Sequence, residues 1–345
     1  MTVAMNREWL LAKRPQGLPQ RSDYEFREGS VREPGEGEVV VRVSHTAMDP
    51  AIRGWMDESG NYFTPIPLGS PVMAVVIGQV VKSNYPALPE GTLVSGLGSW
   101  SEYAVGPGYY FNQIAEPDKH DLLAFLHPLG PVGLTAHHGL LTKAGMKEGD
   151  AVLVSGASGG VGSLVGQIAK FKGASKVVGI AGGPDKCRQA VESFGYDECI
   201  DYRAESDLSA AMAKALPDGF NVFFENVGGR VLEAALDNMA KDARIVICGM
   251  ISGYNATKPE PGPSNMWNLL VKTARIEGFL IADCLGTPEA AAMYSELSQW
   301  LQQGKLNYKV DVREGIENIP ETFNLLFSGE HDGKLLVKIA DPQNS

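Results

Sequence analysis

The chain has 345 residues, enough for two domains of ordinary size and a large buried core. Hydrophobic content of 44% and charged content of 21% exclude a disordered chain, and a formal charge of −11 argues against a sequence-independent grip on nucleic acid, which needs clustered Lys and Arg. No apolar run approaches the length of a bilayer span, and the opening MTVAMNREWLLAKRPQG reads as neither secretory signal nor membrane anchor. The expected setting is the cytoplasm. Cys187, Cys199, Cys248 and Cys284 are widely spaced along the chain and fit reduced thiols there.

Residues 1 to about 130 hold short apolar runs broken by Gly and Pro, among them EGEVVVRVSHTAMDP, VMAVVIGQVVKS and GTLVSGLG. They predict short strands with turns between them, a barrel or sandwich. After Pro131 strands and helices alternate. AVLVS precedes the helix VGSLVGQIAKFKG, KVVGI precedes a helix from Pro184 to about Phe194, and ECIDY precedes DLSAAMAKAL. FNVFFENV, GRVLEAALDNMA, ARIVICGM and ARIEGFLI follow. Strands starting near 151, 176, 198, 220, 243 and 274 predict a complete doubly wound parallel sheet. A helix near 288–303 comes next, and GKLLVKIA (333–340) reads as a final strand returning to the first domain.

Between the first of these strands and its helix lies SGASGGVGS (155–163), where a phosphate-binding turn belongs. Its fingerprint is Ala157-x-Gly159-x-x-Gly162, with Gly159 admitting a pyrophosphate to the helix N-terminus and Gly162 allowing close packing. NAD-binding chains place a carboxylate about 20 residues further on, for the ribose 2′-OH. That count ends at Gly182, which has no side chain, and the next cation is Lys186. A 2′-phosphate is repelled by a carboxylate and attracted by an ammonium, so the pattern favours NADPH over NADH. Arg188 reads as a solvated helix-face charge.

FENVGG (224–229), CGMISGYN (248–255) and GFLI (278–281) join ASGGVGS, GGPDKC, LGPVGLTAHHGLL (129–141) and MDPAIRGWM (48–56) in one pattern. The chain resembles, over essentially its whole length, the zinc-independent medium-chain dehydrogenases/reductases that reduce enone double bonds. Leukotriene and prostaglandin reductases, plant double-bond reductases and bacterial NADPH-dependent curcumin reductases belong there. The resemblance implies an α/β chain with a GroES-like β-barrel catalytic domain at 1–131, a Rossmann NADPH-binding domain at 132–303, and a C-terminal return at 304–345. It also implies a homodimer.

Carried over by motif, Ser158, Gly159, Gly160, Val161 and Gly162 contact pyrophosphate, Lys186 and Tyr202 hold the 2′-phosphate, and Asn226 and Thr135 approach the cofactor. Cys248, Gly249, Met250, Ile251, Ser252 and Tyr254 line nicotinamide and ribose, with Phe279, Leu280 and Ile281 beside the nicotinamide amide. Zinc is not expected. SPVMAVVIGQV (70–80) has no His-Glu pair, no two cysteines are close in sequence, and the adjacent His137 and His138 read as packing and surface residues.

Hydride addition to an alkene needs a group that takes up the charge, which an enone carbonyl does. Hydride goes to the β-carbon and a proton to the α-carbon. Tyr254 is the candidate proton donor, with ribose binding as the other reading of the same residue. A phenol is protonated at neutral pH and donates without activation. One departure is Ala51 in DPAIR, where relatives carry tyrosine. It implies a roomier pocket lined by Met48, Pro50 and Ala51, with Tyr62, Tyr109 or Tyr110 as substitute donors. Another is His331 in GEHDGK, where relatives have Asn near the cofactor, and which reads equally as a turn residue. An NADPH:quinone oxidoreductase and a non-catalytic NADPH-binding protein stand as alternatives.

Overall fold

A computed structural model describes residues 5–58, 62–114 and 119–341. They form two compact units, one running to Leu126 and resuming at Val310, the other spanning His127–Lys309.

The first unit opens with an antiparallel ribbon of β1 (Met5–Leu11) and β2 (Tyr24–Ser30). Then come β3 (Glu38–Ala47), the short helix α1 (Ala51–Trp55), β4 (Met73–Ser83), β5 (Leu93–Ser99), β6 (Tyr103–Pro107) and β7 (Phe111–Gln113). Alternate residues of β4 are buried, as a strand with one face on a core requires.

In the second unit α2 (Pro131–His137) continues into a π-helical turn, His138–Lys143. The strands are β8 (Ala151–Ser155), β9 (Lys176–Ala181), β10 (Glu198–Asp201), β11 (Phe220–Glu225), β12 (Met239–Ile247) and β13 (Arg275–Gly278). Between them run α3 (Gly160–Phe171), α4 (Pro184–Ser193), α5 (Leu208–Ala215), α6 (Gly229–Leu236) and α7 (Trp267–Lys272), and α8 (Pro288–Gln302) follows. All pairings in this sheet are parallel, in the order β10-β9-β8-β11-β12-β13. The order reverses direction between β8 and β11, and the carboxyl ends flanking that point are where open α/β sheets bind ligands. Leu153, Val178, Phe223 and Ile245 from the strands meet Met212, Val231 and Leu236 from α5 and α6 in one core. β12 begins four residues before the expected 243, because a register shift opposite Phe220–Val222 adds a bulge with Asp242 at φ 61.

The chain then returns through β14 (Val310–Glu314), α9 (Ile319–Ser328) and β15 (Lys334–Lys338). β15 pairs with β3, giving a sheet in the order β14-β15-β3-β4-β5-β7 with β6 also on β3. The units divide near 126 and 309, not at 131 and 303, because the flanking residues bond within the second unit. His127 Nε2 lies 2.8 Å from the Gly160 carbonyl, and the ring packs edge-on against Tyr308. The Gln167 amide bonds both backbone groups of Asn307. Among the described residues no helix is long and apolar enough to cross a membrane.

Candidate active site

β8 ends at Ser155, and the turn into α3 depends on small residues. Gly156 takes φ +63, so the residue that makes the tight turn lies one position before Ala157, where the fingerprint had set it. A Cβ on Gly162 would lie 2.2 Å from the Gly156 carbonyl oxygen, so only glycine lets the helix pack on its own loop. Gly159 occupies the N-cap with extended backbone and no side-chain cap. The first amides of α3, from Gly160, Val161 and Gly162, have no intrahelical acceptor, and Ser158 is buried beside them. Such amides, with the helix dipole, are the donors an anion takes at a helix N-terminus.

At the end of β9 the missing carboxylate has a steric cause as well as an electrostatic one. A Cβ on Gly182 would meet the Tyr202 hydroxyl at 2.8 Å, so the tyrosine ring fills the space an acidic side chain would need. Gly183 caps α4 at φ +102, and its amide donates to Asp201 Oδ1 at 2.8 Å. Lys186 lies in the first turn of α4, partly buried, while Arg188 is exposed and paired with Asp185 on the helix surface. Sequence reasoning missed two neighbours of Tyr202. The Arg230 and Arg203 guanidinium groups lie 5.6 and 6.0 Å from the ring centroid, and Arg230 also donates to the Tyr202 carbonyl at 2.6 Å. Arg230 is 28 residues from Tyr202, so no local signal could reveal it. The result is a cationic edge on an acidic protein.

Glu225, at the end of β11, was quoted in FENVGG but given no role. Its side chain is fully buried. Oε1 accepts from Ser155 Oγ at 3.0 Å, from the Gly228 amide at 2.6 Å and from the Val227 amide. Oε2 has no partner. Burial raises its pKa to about 7, against the opposing pull of those donors. Asn226 ties the same corner to β8, its amide donating to Ser155 Oγ and its side chain to the Ser155 carbonyl, both at 2.7 Å.

The loop after β12 is sewn onto this corner. Cys248 and Gly249 amides donate to the Glu225 carbonyl, Ile251 to that of Asn226, and Ser252 to that of Val227, at 2.9–3.2 Å. Met250 and Ser252 face solvent. Tyr254 is half-buried, and its hydroxyl accepts from the Met250 amide at 3.3 Å. An amide cannot take a proton, so this bond leaves the phenolic hydrogen available. Burial raises the phenol above its ordinary pKa and pushes the Cys248 thiol up to about 12.

The Phe279 ring turns inward, against Phe224 and His138 and over Gly139, and so anchors the segment Phe279–Leu280–Ile281. Thr135 Oγ1 donates to the Pro131 carbonyl at 2.7 Å within α2, leaving its lone pairs as acceptors for a ligand. His137 Nε2 bonds Glu296 at 2.7 Å, and its ring stacks on Trp300. His138 Nδ1 bonds Glu289 at 3.0 Å; with Cys284 these two form a group of metal-capable atoms within 4.8 Å of one another. Glu289 also accepts from Thr142, and Cys284 lies 3.6 Å from Thr287 Oγ1. The His138 ring, the Glu289 carboxylate and the Cys284 thiol thus each have a partner within the protein.

In the first unit, Met48 is wholly buried in the core with Ile52 and Met56, so its side chain offers no open wall. Lys334, itself buried, bonds the Met48 carbonyl at 3.0 Å and the Asp49 carboxylate, which fixes the turn before Pro50 and Ala51. Ala51 opens α1 and packs on the Trp9–Phe323 core. Of the suggested substitute donors, Tyr62 is exposed and precedes Phe63, whose ring stacks on Trp55 of α1 at 4.8 Å. Tyr109 is exposed, and Tyr110 packs on a separate core around Val39 and Phe111, so the structure does not bring this pair to Ala51. His331 sits in this unit, its Nδ1 2.9 Å from the Gly333 carbonyl in its own turn.

A parallel six-stranded sheet with a glycine turn at its reversal point, in a chain whose other unit is built on a mainly antiparallel sheet, is the architecture of dinucleotide-dependent oxidoreductases. Residues 7–114 match the family described as N-terminal domain of oxidoreductase, and residues 160–303 that described as zinc-binding dehydrogenase. The chain is 38% identical over 339 residues to the NADPH-dependent curcumin reductase of Escherichia coli, covering 97% of each. It is 37% identical over 341 residues to the NADP(+)-dependent 2-alkenal reductase of Nicotiana tabacum, covering 97% of this chain and 98% of the other. The crystal structure of CurA from Vibrio vulnificus in complex with NADPH superposes with a TM-score of 0.89 at 35% identity, over 97% of this chain and all of that one. The chain belongs to the medium-chain dehydrogenase/reductase family.

Proposed function

We propose that this chain is an NADPH-dependent reductase of the C=C bond in α,β-unsaturated ketones and aldehydes. Its relatives are reductases of that kind. The observation that carries the reading is the Tyr254 phenol, protonated and held by an amide that leaves its hydrogen free, on a loop at the carboxyl end of the parallel sheet. Bound NADPH supplies a hydride to the β-carbon. The chain's residues do the rest. The first amides of α3 hold the diphosphate, Lys186 and Tyr202 hold the 2′-phosphate, and the Cys248–Ser252 segment walls the nicotinamide end. Tyr254 hydrogen-bonds the enolate oxygen or delivers the proton to the α-carbon. Ala51, with no side chain beyond Cβ, makes room on the substrate side, and Tyr62 is the substitute donor.

We further propose a cytoplasmic homodimer. β13 is the edge strand of its sheet, and Trp267, Leu270 and Val271 of α7, 60–70% exposed, give an apolar face next to it in sequence.

The test is nicotinamide oxidation, with NADPH and NADH, against a simple trans-enone, a cinnamyl-type enone and a quinone. Enone turnover with strong NADPH preference is expected. Tyr254→Phe is expected to lower kcat by about 10²-fold or more with KM for NADPH little changed. Turnover of quinone alone would overturn the enone reading. A Tyr254→Phe enzyme with unchanged kcat would confine Tyr254 to binding.

A further inference from the structure

Cys187 and Cys199 are twelve residues apart in sequence, yet their sulfur atoms lie 3.0 Å apart. Cys187 is in the first turns of α4 and Cys199 in β10, and both are partly exposed. We propose that this pair is an oxidation site, taking low-molecular-weight disulfides as its substrate class, and that closing it weakens NADPH binding. The second half rests on the reading of Lys186 and Tyr202 as ligands of the 2′-phosphate.

The chemistry is two thiol–disulfide exchanges. The Cys187 thiolate attacks one sulfur of RSSR, forming a mixed disulfide and releasing RS⁻, which takes up a proton. The Cys199 thiolate then attacks Cys187 Sγ and displaces the second RSH. Two protein thiols are oxidised, one small disulfide is reduced to two thiols, and no other reactant is needed. Cys187 is the attacking group. The hydrogen bond from the Cys199 thiol holds its thiolate and lowers its pKa, and the Ala181 amide assists. Cys199 is raised, because it supplies that bond and is the more buried partner.

The pair stands between two sides of the proposed phosphate site. Lys186 immediately precedes Cys187. Asp201 and Tyr202 follow Cys199 closely, and Asp201 holds the Gly183 amide at the start of α4. A disulfide sets its sulfurs about 2.05 Å apart, so closure brings Cys187 Sγ and Cys199 Sγ about 1 Å nearer, by side-chain rotation and by strain passed to the α4 turn and β10. Charge-assisted bonds to a phosphate depend steeply on such distances. NADH has no 2′-phosphate and escapes that part of the loss.

The test titrates the full-length protein with oxidised glutathione, blocks remaining thiols by alkylation and maps peptides by mass spectrometry. It then measures NADPH and NADH affinities of both forms by nicotinamide fluorescence. A Cys187–Cys199 crosslink is expected, with Cys248, which is partly exposed, alkylated in the folded protein and Cys284, which is buried, only after unfolding. The NADPH Kd should rise about five- to tenfold, with a smaller change for NADH. Cys187→Ser and Cys199→Ser should bind NADPH as the reduced protein does and ignore the treatment. Recovery of both cysteines alkylated, or as separate glutathione adducts, would overturn the site. A crosslink that left the NADPH-to-NADH affinity ratio unchanged would overturn its effect. Lys186→Ala in reduced protein tests the phosphate assignment separately. Undiminished NADPH affinity there would remove that assignment and the coupling with it, while a mapped crosslink would still establish the oxidation site.

Discussion

At position 182 sterics and charge act together. Gly182→Asp would drive a Cβ into the Tyr202 hydroxyl and set a carboxylate beside the 2′-phosphate. We expect the NADPH Kd to rise about tenfold or more with a smaller loss for NADH, measured by fluorescence titration. Equal losses for both would trace the effect to the loop and not to the phosphate. The absence of an acid at 182 was plain in the sequence; the tyrosine that fills the gap, 20 residues on, was not. Glu225 was hidden for a related reason, since nothing local marks a buried carboxylate as the hub of three segments. Its raised pKa makes a signed prediction. An unfolded glutamate titrates near 4.3 and the folded one near 7, so between those values the folded state holds the extra proton. Glu225 therefore contributes stability below about pH 4.3 that is lost as pH rises to about 7, on the order of 4 kcal/mol at most. Denaturant unfolding of Glu225→Gln against wild type across that window should show the slope flattened in the variant.

Elements were legible where their physics is local. Strands buried on both faces read as unbroken apolar runs, and β8, β9 and β11 start at the expected residues. The bulge in β12 was not legible, because it answers to its partner strand. The helix–turn contact at Gly162 was legible as a pattern, and the structure gives its magnitude. Gly162→Ala places a methyl 2.2 Å from the Gly156 oxygen, and neither backbone can yield without opening the diphosphate turn. Overpacking of this sort costs about 1–3 kcal/mol. Thermal unfolding should show Tm lower by roughly 2–10 °C, and calorimetric titration should show weaker binding of both NADPH and NADH. A variant that kept both affinities would mean that the turn can relax without losing its amides.

At the scale of the whole molecule the return of the last strand to the first domain was legible, and the side chains that meet across long stretches of chain were not. The sequence left Cys187 and Cys199 as separate thiols, and it put Tyr109 and Tyr110 forward for the corner at Ala51, although Tyr110 packs on a different core. The apolar face of α7 makes a prediction at this scale. Replacing Trp267 and Leu270 with Glu should convert a dimer to monomers in light scattering, with NADPH still bound. A monomeric wild type would overturn the dimer. The return of β15 to β3 also orders events in time. Ala47 finds its partner only at Leu336, so a ribosome must release the chain as far as that residue before the first sheet can close. His127–Lys309 is contiguous and has every strand of its own sheet by then. The nascent chain can thus finish its phosphate-binding sheet while its opening segment still lacks a last strand.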